Sequence, residues 1–149
     1  VVRKLSLISA LAILGAASGC GPKPLTADDM PRPLAGLWRY VGVDDGIASK
    51  GDICLSGRPV HITDASSNCE KIAWSRGADG AFEIDASCSD HDLHGDIKAR
   101  YSGDFHSSYV MDGSNAEARP GPPVPVVRSH FAFQFAGPCP AGRAPEDLK

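Results

Sequence analysis

The chain has 149 residues, 42% hydrophobic and 22% charged, with a formal net charge of −3. That balance excludes a protein that tracks nucleic-acid phosphates, because such binding needs clustered Lys and Arg. Once two unusual ends are set aside, the length suffices for about one small domain.

Arg3 and Lys4 precede an apolar run from Leu5 to Ala17. The run is shorter than the roughly 20 residues a helix needs to cross a bilayer core. A basic start, an apolar stretch and a small-residue exit together read as a signal peptide, residues 1–19. The exit, Ala17-Ser18-Gly19-Cys20, resembles the lipobox of bacterial lipoproteins, whose cysteine receives diacylglycerol. Ordinary cleavage leaving a soluble periplasmic protein is the alternative. Cysteine parity favours the lipid. The five cysteines leave one over in an oxidising compartment, whereas a thioether on Cys20 leaves Cys54, Cys69, Cys88 and Cys139 as an even set for two disulfides. Several acyl chains on one cysteine, each buried methylene worth about 0.8 kcal/mol, make such anchoring permanent.

The same resemblance sets the address. An Asp directly after the cysteine holds lipoproteins in the inner membrane, and Gly21 stands there instead, so the expected location is the outer membrane, facing the periplasm. Loss of Arg3 and Lys4 with the leader moves the net charge from −3 to −5. Residues 20–34 then form a tether with prolines at 22, 24, 31 and 33. Such a composition favours an extended spacer, about 40 Å long at most.

Residues 35–140 carry an apolar pattern of period two, the signature of half-buried strands. "GLWRYVGV" (36–43) and "KGDICLS" (50–56) supply the first two. "KIAWSRGADGAFEIDASC" (71–88) reads as a hairpin around Gly77 to Gly80, with Ile72 and Trp74 placed to meet Phe82 and Ile84. "DIKARYSGDFHSSYVMDG" (96–113) reads as another, with Ile97, Ala99 and Tyr101 on one face and Lys98 and Arg100 on the other. Pairing Tyr101 with Phe105 and Ile97 with Tyr109 keeps its aromatics together and requires a three-residue loop, Ser102 to Asp104. In "VVRSHFAFQFAG" (126–137), Val127, Phe131, Phe133 and Phe135 share one face while Arg128, His130 and Gln134 share the other. No segment carries a helical stripe. The expected fold is an all-β antiparallel meander of about seven strands, closed into a small barrel or strongly curved, with a sandwich as the alternative. Residues 141–149 read as a flexible tail.

Four cysteines allow three pairings. Centring the Gly77 to Gly80 turn puts Cys69 opposite Cys88 and leaves Cys54 to Cys139. Keeping Ile72 and Trp74 on the face of Phe82 and Ile84 sends Cys69 and Cys88 to opposite faces unless a bulge intervenes. That register leans towards Cys54 with Cys69 and Cys88 with Cys139.

The most chemical-looking stretch is "SDHDLHGDIK" (89–98). Imidazole and carboxylate suit zinc, so His91 and His94 with Asp92 or Asp96, plus His106 or His130, are the candidate metal ligands. In a strand, however, positions 91 and 94 point to opposite faces. A polar turn between two strands accounts for the same residues, since Asp, Ser and Gly favour turns through their own backbone hydrogen bonds. No nucleophile elbow, Cys-His context or phosphate-cradling loop is present, and no cofactor is implied. Asp44-Asp45 reads as a loop, and Glu83 and Asp85 as a solvated strand face. Trp38 and Trp74, at strand spacing beside apolar neighbours, read as core.

The opening "AGLWRY", the cysteines at 54, 69 and 88, the Tyr101-Ser102-Gly103-Asp104-Phe105 hairpin and the closing Phe135-Ala136-Gly137-Pro138-Cys139 resemble a family of exported proteobacterial proteins classed only as a domain of unknown function. The resemblance covers residues 35–140. It implies an envelope location and a two-disulfide β domain, and it brings no activity. Two function classes follow. One is a non-catalytic, lipid-anchored module that binds an envelope protein, a glycan or a small apolar ligand; an inhibitor of a foreign cell-wall enzyme is one form of it, by analogy alone. The other is a small metal-dependent hydrolase built on His91, His94 and Asp96. A continuous apolar face favours the binder, and a pocket of converging His and Asp favours the enzyme.

Overall fold

The computed structural model describes residues 25–60, 68–90, 93–118 and 124–146. Seven strands form one antiparallel sheet: β1 (Gly36–Asp44), β2 (Ile47–Leu55), β3 (Asn68–Arg76), β4 (Phe82–Asp90), β5 (Leu93–Gly103), β6 (Ser108–Ala118) and β7 (Val127–Gly137). Their spatial order is β2-β1-β7-β6-β5-β4-β3. The seven-stranded antiparallel sheet matches the expectation, and the closure does not. β2 and β3 are free outer strands, so the sheet is open and neither a barrel nor strongly curled. The physical reason lies in the covering layer: the apolar face that closure would have enclosed is capped at one end by loops.

That face is set by the pleat. Across β1, β7 and β6, Tyr40, Phe133 and Tyr109 stand in one row, and Phe131, Met111, Tyr101 and Phe82 in the next, all on the inner side. Trp38 is 0% exposed, and its indole N–H donates to the Leu34 carbonyl at 2.8 Å. Tyr109 stacks on Phe133 with ring centroids 4.4 Å apart, and Phe105 stacks on Tyr109 at 5.2 Å. Met30 and Val60 complete the cap, both buried. Backbone hydrogen bonds tie its pieces together, from Val60 N–H to Pro31, Leu34 N–H to Phe105, and Phe135 N–H to Ser107. Part of the proline-rich segment therefore packs as core.

The first hairpin turns on Asp45 (φ 46) and Gly46 (φ 80), the pair of positive φ values that a two-residue turn with the strands' own twist demands. The β5–β6 hairpin keeps its aromatics on one face as expected, but in another register. Tyr101 faces Met111 and Gly103 faces Tyr109, in place of Tyr101 with Phe105 and Ile97 with Tyr109. Asp104 decides this. Its carboxylate accepts the N–H groups of His106, Ser107 and Ser108 and the Ser107 hydroxyl, which nucleates a longer loop. Phe105, held there at φ 58, swings into the core.

Both disulfides form, as Cys54–Cys139 and Cys69–Cys88, so the pairing favoured by register alone is corrected. A bulge between Cys69 and Lys71 reconciles the two arguments: Trp74 still faces Ile84, and Cys69 still meets Cys88. Cys54 alternates away from Ile53 and is buried on the outer side, where the C-terminal segment folds over β2. There Glu146 N–H donates to the Cys54 carbonyl and Arg143 to the Asp52 carbonyl, which blunts one free sheet edge.

Candidate functional site

On the inner face, glycines repeatedly sit beneath aromatic rings. A Cβ on Gly51 would come within 2.8 Å of the Tyr40 hydroxyl, and one on Gly42 within 2.3 Å of Phe131. These rings occupy the space that a side chain would take. Gly113 is different. A Cβ there would meet nothing closer than the Ser129 Cβ at 3.6 Å. Its cross-strand neighbours are also small, Ala99 on β5 and Ser129 on β7.

The row Ser129–Gly113–Ala99 is therefore a floor. Phe131, Met111 and Tyr101 rise along the side nearest the capped end, and Asn115 and Ile97 along the other. The result is a half-open groove of about 490 Å³, reaching from Ile53 on β2 to Ile97 on β5. Its volume is in the range of small-molecule sites, as is its apolar lining with a few polar groups. Lys98 alone among the lining residues is charged, and its side chain turns to the outer face, where the ammonium lies 3.2 Å from the Asp85 carboxylate. Burial pushes the Tyr101 phenol above its ordinary range, and burial followed by the proximity of Tyr101 does the same to Tyr109. Both hydroxyls are neutral at physiological pH. That of Tyr109 is buried without a hydrogen-bond partner among the described residues.

The outer face beneath this floor has opposite chemistry. Arg100 pairs with Asp79 and Glu83, Lys98 with Asp85, and the His130 Nδ1 lies 2.6 Å from Asp112. The backbone N–H of Ala81, with Arg100, holds the Asp79 carboxyl below its usual range. These cross-strand pairs satisfy one another and form a solvated surface.

The sequence-derived metal candidates are scattered or lie beyond view. Cys20, His91 and Asp92 fall outside the described residues. His94 and Asp96 are exposed on β5, where Asp96 accepts the Ser87 hydroxyl at 2.6 Å. His106 is bound into the loop at the far end of β5, roughly 30 Å along the strand from His94. His130 belongs to the outer ion-pair surface. Among the described residues no group of three or more His, Cys, Asp or Glu could hold a metal ion. The described residues thus supply no metal constellation for the hydrolase alternative, which weakens it.

Sequence reasoning placed Ile97 with Tyr101, and Phe131 with Phe133, on the apolar faces of their strands and missed Gly113 and Asn115. Their signal was an interruption: on β6 the large inward residues Tyr109 and Met111 give way to glycine and asparagine. Compared with protein-family models, curated proteins and solved structures, the chain matches none.

Proposed function

We propose that the chain is an exported, lipid-anchored binding module of the bacterial cell envelope, held at the outer membrane through Cys20, whose inner-face groove receives an apolar ligand. The observation that carries the binding role is the groove itself: an apolar trench floored by Gly113, with no metal-holding cluster among the described residues. The anchoring rests on the lipobox-like Ala17-Ser18-Gly19-Cys20 and on the two disulfides, which suit an oxidising compartment and use all four remaining cysteines.

Each half has its own test. Cys20→Ala should move the protein from the membrane fraction to the soluble periplasm, and unchanged fractionation would overturn the anchor. The neutral fluorescent probe N-phenylnaphthylamine should bind the purified protein saturably; fluorescence that rises without saturation would overturn the groove as a site.

A further inference from the structure

We infer that the groove's ligand is a single-chain lipid with an uncharged head, and that Gly113 sets how deeply its chain is admitted. This deepens the binding role proposed above and rests on it. The shape comes first. The trench crosses from β2 to β5, four interstrand gaps of roughly 4.8 Å, or about 19 Å in all. Over β5 and β6 its walls, the Met111 row and the Asn115 row, stand four residues apart on the strand, roughly 13 Å between backbones before side chains fill part of the gap. A long slot of that width suits one extended acyl chain better than a fused-ring system. Met111 adds an adaptable wall, since its unbranched thioether side chain fits irregular apolar surfaces.

The head follows from charge. Lys98, the one charged residue that borders the groove, carries its ammonium on the outer face beside Asp85, so among the described residues no positive group in the groove meets a carboxylate or phosphate. The Ser129 hydroxyl on the groove floor donates to the Asp44 carboxylate at 2.5 Å, so an already engaged carboxylate stands beside the groove and repels an anionic head. An anion there would be partly desolvated without a partner. The remaining polar groups, Ser49, Ser129, Asn115 and the Tyr40 phenol, offer hydrogen-bonding partners suited to hydroxyl or ester oxygens.

The test uses the full chain carrying Cys20→Ala, so that no covalent lipid competes, and follows displacement of N-phenylnaphthylamine. Monooleoylglycerol should displace the probe at roughly tenfold lower concentration than oleate. Equal or better competition by oleate or oleylamine would overturn the uncharged head. Gly113→Leu should weaken monooleoylglycerol binding about 50-fold, the loss expected when three methylenes lose their burial. If that variant fails to fold, Gly113→Ala, whose methyl finds ordinary contacts, should still weaken it measurably; no change in a folded variant would overturn the role of Gly113. Saturable probe binding that Gly113→Leu abolishes, with no displacement by any of the three lipids, would sink the ligand class and leave the groove's binding role standing. Absence of saturable probe binding would sink that role itself.

Discussion

The two ends of the inner face share one alternation of residues and differ in what covers them. At the capped end, Trp38, Tyr109 and Phe133 lie beneath Phe105, Met30 and Val60, and the rings stack as in a closed core. Along the middle of the same strands, Phe131, Met111 and Ile97 stay half-buried around Gly113. Strand periodicity chooses which face is apolar; it does not choose what packs against that face. Among the described residues the cover comes from three segments distant in sequence, and they cap one end.

The sharpest way to break this contrast is through the disulfides, which sit at opposite ends. Cys54–Cys139 at the capped end closes a sequence separation of 85, and Cys69–Cys88 at the other end closes one of 19. Chain-entropy reasoning predicts that removal costs about 4.5 kcal/mol for the first and about 3 kcal/mol for the second. Denaturant titration of the two double-alanine variants checks the order; a reversed order would mean that the capped end is the weaker half.

Single residues should divide the same way. Trp38→Ala removes a fully buried ring and should cost about 4 kcal/mol. Met111→Ala, on the groove wall, should cost about 1 kcal/mol because its side chain already meets solvent. Equal losses in thermal melts would show that the groove is packed in solution. Met30→Ala should fall between them, at about 2.5 kcal/mol. A neutral outcome would return the proline-rich segment to the role of a free spacer.

The smallest effect concerns the loop that delivers Phe105. The Ser107 hydroxyl and the backbone N–H groups of Ser107, Ser108 and His106 hold the Asp104 carboxyl well below the usual carboxylate range. The folded group therefore binds its proton more weakly than the unfolded one. Its support is complete above the ordinary value of about 3.9 and is lost as pH falls below it. Asp104→Asn should flatten this part of the acid dependence. Melting temperatures from about pH 5 down to about pH 2 provide the check.

Much of the fold was legible before the structure. Val127, Phe131, Phe133 and Phe135 announced β7 and its inner face, and the Gly77 to Gly80 turn located the β3–β4 hairpin with Trp74 against Ile84. Register was harder, because sidedness tolerates any even shift. The aromatics of β5 and β6 stay together in the wrong register as well as the right one, and only the bonds made by Asp104 select between them. The candidate site was less visible still. Glycine reads as a weakness in a strand, and Gly42 and Gly113 look alike along the chain until the neighbouring strand sets Phe131 over one and Ser129 beside the other.

By itself the sequence determined the local and the covalent: an all-β chain with one apolar face, and four cysteines available for two disulfides in the domain. These follow from residue type and spacing, which are properties of neighbours along the chain. The tertiary structure decided the bulge that lets Cys69 meet Cys88, the open edges at β2 and β3, and the groove over Gly113. Each depends on which strand lies beside which and where loops come to rest. Those outcomes are settled by competition among contacts far apart in sequence, and no short stretch of residues encodes them.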